Sequence, residues 1–277
     1  MKSNLLLLTS LAVALTLWAC AAPEATIDAP WQAAPVKQYT FDEGVERDAA
    51  WSPDGQWIAY SAARQSGMNL WKRPVAGGAA VQLTSDSTMN VYPAWSPDGA
   101  RLAFTSDRSG KVNIWILDAD GGEPTRVTAD QDSVVSTLGG GSQVCWSPDG
   151  KEIAFASNKG GSENIWTISA TGGLPRQITR HASLDMTPNW SPDGKEIAFT
   201  SMRSGNLDLW VVAATGGQPR QITSHPGEDW WSFWSPDGKW LLFNSTRNGN
   251  MDLHIVAAAG GRAVPVTNTP EYNRHLS

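Results

Sequence analysis

Trp51-Ser52-Pro53-Asp54-Gly55 is the first of five copies of one pentapeptide in this chain. The other copies occupy residues 95–99, 146–150, 190–194 and 234–238, and successive tryptophans lie 44, 51, 44 and 44 residues apart. A fixed period in this range is typical of repeat architectures. We call the five tryptophans the anchors, because every other feature of the repeat can be placed by its distance from them.

Each repeat contains four short segments with strand character, separated by turn signals. In the fourth repeat these segments are residues 186–190, 196–201, 208–213 and 219–223. Proline in Ser-Pro-Asp-Gly presets the first corner of a turn, and glycine takes the position that needs a positive φ. Four antiparallel strands in one such period form a blade of a β-propeller. The fold class predicted from the sequence is therefore all-β, a β-propeller of four-stranded antiparallel blades.

The second strand of each repeat indicates how the blades pack. It is apolar on both faces, with large residues on one face and mostly alanine on the other, as in Glu-Ile-Ala-Phe at 152–155. A blade between two neighbours has this pattern because neither face meets water. A buried tryptophan removes about 150–250 Å² from water, roughly 4–6 kcal/mol as an upper bound. We therefore expect the anchors to pack between blades rather than to bind a ligand.

The spacing also predicts five full repeats plus parts of a sixth. Thr223 closes a fourth strand eleven residues before its next anchor, Trp234. The same step from Thr267 falls one position past Ser277, so residues 268–277 are predicted to lead into a sixth blade, and residues 38–40 match its fourth strand. We expect a truncated six-bladed propeller. The alternative is a five-bladed ring with residues 38–40 displaced or paired at an edge.

The repeat resembles the PD40, or WD40-like, repeat of TolB-type β-propellers. The matching parts are the anchors, the Ile-Ala-Phe strand, the Asn/Asp-Ile/Leu-Trp strand and the Gln-Ile-Thr end, over residues 37–267. The resemblance is specific for the fold and implies little about function. The TolB protein carries an α/β domain before its propeller. The short segment before the first repeat here therefore predicts a TolB-like propeller rather than TolB itself.

The N-terminus is predicted to be a targeting signal. Residues 1–19 combine a weakly positive start with an apolar run that is too short to span a bilayer comfortably. The run ends Leu-Trp-Ala before Cys20, which resembles a bacterial lipoprotein signal, although Trp18 departs from the usual small residue. The resemblance implies cleavage before Cys20 and lipidation of that cysteine. An ordinary secretory signal with an incidental Cys20 is the alternative.

The predicted domains follow from this signal. Residues 1–19 form the lipoprotein signal peptide, residues 20–36 an Ala/Pro-rich flexible tether, and residues 37–277 the propeller. The residue after Cys20 is Ala21 rather than an aspartate. By resemblance to Gram-negative lipoproteins, this favours the outer membrane. We expect the protein on the periplasmic side of the cell envelope, as an outer-membrane lipoprotein that meets the membrane through its lipid anchor alone.

The composition and the motifs of the chain limit the classes of function that it can have. A net charge of −6 argues against nucleic-acid binding, which needs a basic face. The chain has no Gly-x-Ser-x-Gly motif and no metal-ligand spacing among its four histidines, so we predict no catalytic residue, no metal and no cofactor. His181 and His225 occupy equivalent positions in adjacent repeats and are interpreted as solvated loop residues. Cys145 is interpreted as a small buried apolar residue.

The loops after the second and fourth strands vary between repeats, and we call their end of the propeller the variable face. It carries one basic residue thirteen positions after each anchor: Arg64, Arg108, Lys159, Arg203 and Arg247. It also carries Asp185 and Asp229 five positions before an anchor, and the additional aromatic residues Trp230 and Trp231. These nine residues are the candidate binding set. The alternatives are that the basic residues pair with neighbouring loops and that the two tryptophans plug the central channel.

The function predicted from these features is a lipid-anchored, non-catalytic envelope protein that binds a protein partner through the variable face. The alternative, from a different class, is an enzyme or binding module that acts on an anionic glycan. The repeated basic residues and the paired His181 and His225 motivate that alternative, because some related propellers are polysaccharide lyases.

Overall fold

The structure, a computed structural model, describes residues 45–64, 67–129 and 143–267, which all belong to the compact unit Val36–Ser277. Blade 1 contains β1 (Glu46–Trp51), β2 (Trp57–Ala63), β3 (Met68–Pro74) and β4 (Val81–Gln82). Blade 2 contains β5 (Asn90–Trp95), β6 (Arg101–Ser106), β7 (Asn113–Asp118) and β8 (Thr125–Arg126). Blade 3 contains β9 (Cys145–Trp146), β10 (Glu152–Ser157), β11 (Asn164–Ser169) and β12 (Arg176–Gln177).

Blade 4 contains β13 (Asp185–Trp190), β14 (Glu196–Ser201), β15 (Asp208–Ala213) and β16 (Arg220–Gln221), and blade 5 contains β17 (Asp229–Trp234), β18 (Trp240–Ser245), β19 (Asp252–Ala257) and β20 (Val264–Pro265). Each blade is a four-stranded sheet in sequence order, with antiparallel neighbours. The prediction of an all-β propeller with five four-stranded antiparallel blades is confirmed. Within the described ranges, no helix is long and apolar enough to cross a membrane.

The Ser-Pro-Asp-Gly turn is built by its own side chains. In blade 1, Ser52 Oγ donates to Asp54 Oδ1 at 2.6 Å and accepts the Trp57 amide at 2.9 Å. Asp54 also accepts the Gln56 amide at 2.9 Å, and Gly55 has a φ of 68°. The hydrogen bond from Ser52 lowers the pKa of the Asp54 carboxyl. Serine and aspartate therefore recur because their side chains close the turn.

Adjacent blades pack a large-residue face against a small-residue face. We call the side of a blade that meets the next blade in the chain its trailing face. Ala59 and Leu70 on the trailing face of blade 1 form one core with Leu102 and Phe104 of blade 2. The same arrangement recurs between blades 2 and 3, 3 and 4, and 4 and 5. Each described interface is therefore a dry core that neither blade completes alone.

Four of the five anchors lie in these interfaces, as predicted. The indole Nε1 of Trp95 donates to the Ala50 carbonyl of the preceding blade at 3.1 Å, and Trp146 makes the corresponding bond to Ala94 at 3.0 Å. Trp190 belongs to the core between blades 3 and 4. The first anchor differs, since Trp51 is 40% exposed. Four anchors thus join two blades, whereas Trp51 lies at an end of the described array.

Blades 1 and 5 are the ends of this array. In the described residues, blade 5 makes no packing contact with blade 1 that is comparable to the contacts between successive blades. Among the described residues, the core on the outer side of blade 1 consists of residues of that blade, among them Ile58 and Tyr60. The predicted parts of a sixth blade, residues 38–40 and 268–277, lie outside the described residues.

Candidate functional site

Buried ion pairs occupy the variable face of blades 4 and 5. Arg203 Nη2 donates to both carboxylate oxygens of Asp185, at 2.8 and 2.6 Å. Arg247 Nη2 donates in the same way to Asp229, at 3.0 and 2.8 Å. The two aspartate side chains are fully buried, and the arginine side chains are 9% and 13% exposed. Each pair joins the start of the first strand to the loop after the second strand of its own blade.

The arginines of blades 1 and 2 make equivalent but more exposed pairs. Arg64 donates to Glu46 at 3.0 Å. Arg108 donates to Asp86 at 2.8 Å and to Asn90 Oδ1 at 3.0 Å, and the Asp86 side chain is 38% exposed. In the corresponding loop of blade 3, the Lys159 amide donates to Ser157 Oγ at 3.2 Å. All four arginines therefore have a polar partner within their own part of the repeat.

Aromatic rings fix the arginines from the other side. The guanidinium carbon lies 4.0 Å from the ring centroid of Trp71 in blade 1, 5.1 Å from Trp115 in blade 2 and 5.0 Å from Trp210 in blade 4. Blade 5 has buried His254 at the equivalent position. Stacking on an aromatic face together with a carboxylate partner holds the guanidinium in one orientation.

The four arginines are thus charge-compensated by neighbouring carboxylates. Their contacts agree with the alternative in which the basic residues pair with neighbouring loops. A binding role for them stays a prediction. A ligand anion that replaced Asp185 at Arg203 would have to leave that buried carboxylate without its counterion, which is strongly unfavourable.

The two additional tryptophans of blade 5 separate into different environments. Their rings stack with centroids 5.4 Å apart and planes inclined by 20°. Trp230 packs against the core between blades 3 and 4, whereas Trp231 lines a central cavity. Trp231 has a φ of 50°, at a bulge that shifts the pairing of β17 and β18. The bulge therefore directs neighbouring tryptophans to different parts of the molecule.

The central cavity has a volume of about 660 Å³ and is lined by the first strands of all five blades. Its wall is rich in aromatic and proline side chains, with polar groups at intervals: Asp48, Tyr92, Trp95, Gln143, Cys145, Asn189, Trp231, Phe233 and Trp234. Pro53, Pro97 and Pro236 place part of the wall at the Ser-Pro-Asp-Gly end. A concave, mostly apolar site of this size with a few polar groups is typical of ligand pockets.

A repeated backbone feature shapes this cavity, and the sequence analysis did not identify it. Asp48, Tyr92, Thr187 and Trp231 all lie three residues before an anchor and have φ values between 50° and 57°. Three of these four residues line the cavity. Burial, with a smaller contribution from Asp48, raises the pKa of Tyr92 to about 12. Tyr92 therefore stays protonated at neutral pH and presents a hydroxyl rather than a phenolate.

The histidines and the cysteine have structural contacts. His181 Nδ1 accepts the Ser183 amide at 3.0 Å, and His225 Nδ1 accepts the Gly227 amide at 2.9 Å. No group of three or more His, Cys, Asp or Glu side chains within residues 45–64, 67–129 and 143–267 could hold a metal ion. Cys145 is a free thiol, and burial raises its pKa to about 11. The thiolate needed for nucleophilic chemistry is therefore scarce at neutral pH.

Three sequence predictions lie outside the described residues. These are the signal peptide of residues 1–19, the tether of residues 20–36 and the lipidation of Cys20. The spacing of 51 rather than 44 residues between the second and third anchors reflects a longer connection between blades 2 and 3, and residues 130–142 of that connection are not described.

The fold and the cavity together define a protein class, that of β-propellers with four-stranded blades and an aromatic central cavity. The family model described as TolB beta propeller domain, PD40, matches residues 33–141 and 129–218. The chain belongs to this family. The resemblance seen in the sequence is confirmed, and blade 5, which lies beyond residue 218, continues the same repeat.

Solved structures of similar fold include two assigned as TolB. The one from Agrobacterium tumefaciens is 24% identical, with a TM-score of 0.69 over 81% of each chain. The one from Acinetobacter baumannii is 26% identical, with a TM-score of 0.68 over 78% of this chain and 53% of that one. The chain thus spans about half the length of the Acinetobacter protein.

An enzyme shares the fold as well. An oligogalacturonate lyase solved in complex with manganese is 17% identical, with a TM-score of 0.61 over 80% of this chain and 64% of that chain. A likeness at this identity concerns the fold alone. The chemistry of this chain has to be argued from its own residues.

Proposed function

We propose that this chain is a non-catalytic protein of the cell envelope whose propeller binds a protein partner through the variable face. The observation that carries the proposal is the stacked pair Trp230–Trp231, of which Trp231 reaches the central cavity. Membership of the TolB beta propeller family supports it at the level of the class.

The charged and the aromatic candidate residues have different roles in this proposal. Arg203 and Arg247 hold the loops after β14 and β18 to the first strands of their own blades through buried pairs with Asp185 and Asp229. Because these charges are neutralised locally, the binding energy has to come from aromatic and hydrogen-bonding groups. Trp231 is suited to this task, since tryptophan is enriched among the residues that dominate protein interfaces.

A capture experiment tests the proposal. Immobilised protein is incubated with envelope extract, and the retained proteins are identified for the unaltered chain and for Trp231→Ala. We expect the variant to lose a specific partner. The matched control is Leu174→Ala, which changes a 93% exposed side chain in a turn on the opposite face. Retention of every captured protein by Trp231→Ala would exclude this part of the variable face as the binding surface.

The proposed location rests on the N-terminal sequence. We propose that residues 1–19 are removed, that Cys20 is lipidated, and that residues 20–36 tether the propeller on the periplasmic side of the outer membrane. Fractionation of cells that express Cys20→Ser is the test. Release of the variant into the soluble fraction supports lipidation, and unchanged membrane association contradicts it.

Binding of an anionic glycan is the second candidate function, and the repeated arginines of the variable face favour it. A uronate would have to displace a carboxylate such as Asp86, which is the more exposed of the arginine partners. Titration with uronate oligosaccharides, with and without manganese, measures this directly. Saturable binding that Arg108→Ala abolishes, with Trp231→Ala without effect, would favour the glycan over the protein partner.

A further inference from the structure

The position three residues before each anchor supplies the central cavity with one side chain from most blades. Four of these five residues line the cavity, namely Asp48, Tyr92, Gln143 and Trp231, whereas Thr187 is buried. Asp48, Tyr92 and Trp231 reach it from a left-handed backbone conformation, with φ between 50° and 57°. Such a conformation is uncommon in residues other than glycine and occurs often at functional sites. The residue type changes from blade to blade, in contrast to the uniform turn and core positions, so the requirements of the blade do not account for it.

Aromatic side chains are prominent in the cavity wall. Tyr92 and Trp231 are joined there by five further aromatic residues: Trp51, Trp95, Trp146, Phe233 and Trp234. Trp231 also stacks on Trp230, with ring centroids 5.4 Å apart, which holds its ring in place. The face of an aromatic ring carries partial negative charge, and it attracts a cation that lies over it without intervening water. A space bounded by several rings therefore favours a positively charged, weakly hydrated group.

Asp48 supplies the charge of the cavity. It is the one charged residue among the lining residues that the structure describes, and its side chain is 4% exposed. Arg47 Nε lies 3.4 Å from Asp48 Oδ2, but the Arg47 side chain is 37% exposed and does not belong to the cavity wall. This contact is longer than the usual charge-assisted hydrogen bond, so Arg47 compensates the carboxylate only in part.

The neighbouring blade responds to this charge. Burial, followed by the charge of Asp48, raises the pKa of the Tyr92 hydroxyl to about 12, and Arg47 has a smaller effect in the opposite direction. The negative charge of Asp48 therefore outweighs the positive charge of Arg47 at the cavity wall. A bound cation would be stabilised by the same field, whereas an anion such as a uronate would be repelled and would meet no cationic side chain among the described lining residues.

We propose that the central cavity binds an organic cation, with an alkylammonium group among the aromatic rings that include Trp231 and close to the carboxylate of Asp48. The volume of about 660 Å³ suits a small organic molecule rather than a single ion. The protonated hydroxyl of Tyr92 and the amide of Gln143 are available to hydrogen-bond the rest of such a molecule. The inference goes beyond the proposed function, since it requires no protein partner.

A titration with two probes of the same shape tests the charge of the ligand. Choline carries a trimethylammonium group, and in its neutral analogue a tert-butyl group replaces that group. Each probe is titrated into the purified, unaltered chain, and binding is followed by ligand-observed NMR. We expect saturable binding of choline, with an affinity at least about tenfold higher than that of the neutral analogue.

Two variants test the residues that we propose to hold the cation. Trp231→Leu keeps an apolar side chain but removes the ring, and it should weaken choline binding about 3- to 30-fold. Asp48→Asn keeps the shape and tolerates the left-handed conformation, and it should weaken the binding of choline but not that of the neutral analogue. The matched control is Asp120→Asn, which removes the same charge from a side chain that is 99% exposed and outside the cavity wall. It should change neither affinity.

Three results would overturn the proposal. Equal affinities for choline and its neutral analogue would show an apolar pocket without preference for a cation. Absence of saturable choline binding would show that the cavity takes no organic cation, and binding that survives both Trp231→Leu and Asp48→Asn would place the cation elsewhere. Because the titration uses the purified chain without envelope extract, a negative result here leaves the capture of a protein partner as a separate question.

Discussion

Replacement of Asp185 by asparagine tests whether the variable-face ion pairs hold the propeller together. The Asp185 side chain is fully buried, and Arg203 lies against it with 9% of its side chain exposed. Asp185→Asn preserves the volume and removes the charge. The guanidinium then stays buried between Trp210 and a neutral amide, at 5.0 Å from the Trp210 ring.

The magnitude follows from this burial. Removal of one partner from a buried ion pair typically destabilises a protein by about 3–5 kcal/mol, because the remaining charge is left without compensation. For a domain of this size each kcal/mol lowers the melting temperature by about 2–4 °C. We therefore expect Asp185→Asn to lower the melting temperature by roughly 6–20 °C.

The matched control is Glu196→Gln in the same blade. Glu196 pairs with Arg220, and the two side chains are 37% and 42% exposed. An exposed pair contributes about 0–1 kcal/mol, so this variant should melt close to the unaltered chain. Thermal unfolding followed by tryptophan fluorescence measures both variants. A loss for Asp185→Asn no larger than that for Glu196→Gln would refute the structural role of the buried pair.

Three further predictions concern single residues. Burial lowers the pKa of His254, so the folded state favours the neutral imidazole and the free energy of unfolding should fall as the pH drops below about 6.5. Urea unfolding of the unaltered chain and of His254→Trp at several pH values should show that the variant lacks this part of the pH dependence. Gly67→Ala should destabilise by about 1–3 kcal/mol, since φ is +75° and a Cβ would meet two backbone carbonyls at 2.8 Å; Gly110→Ala, with open space at its Cβ, should lose less in urea unfolding. Cys145, with a pKa of about 11, should react with a disulfide reagent far more slowly at pH 8 than after unfolding in urea; equal rates would contradict its burial.

The sequence predicted the blades well because their determinants are local and repeated. The Ser-Pro-Asp-Gly turn is closed by hydrogen bonds within five residues, as between Ser52 and Trp57. The alternation of large and small residues on the second strand follows from strand geometry, and it predicted that both faces of a blade pack against neighbouring blades. Five copies of these signals left little room for another fold class.

The central cavity could not be predicted in the same way. Its wall combines residues that are far apart in sequence, such as Tyr92 and Trp231, and they meet because the first strands of all five blades surround one axis. The bulge before the anchors of blades 1, 2, 4 and 5 was not predicted from the sequence either, since Asp, Tyr, Thr and Trp share no local preference for a positive φ. The bulge is enforced by the pairing of the first and second strands.

For the charges of the variable face as well, the sequence and the tertiary structure supplied different information. The sequence determined that an arginine recurs thirteen residues after four of the five anchors, and it left pairing and binding as alternatives. The tertiary structure decided that Arg203 and Arg247 meet the buried carboxylates of Asp185 and Asp229. The physical reason is distance: eighteen residues separate each partner along the chain, and only the pairing of the first strand with the second brings the two charges together.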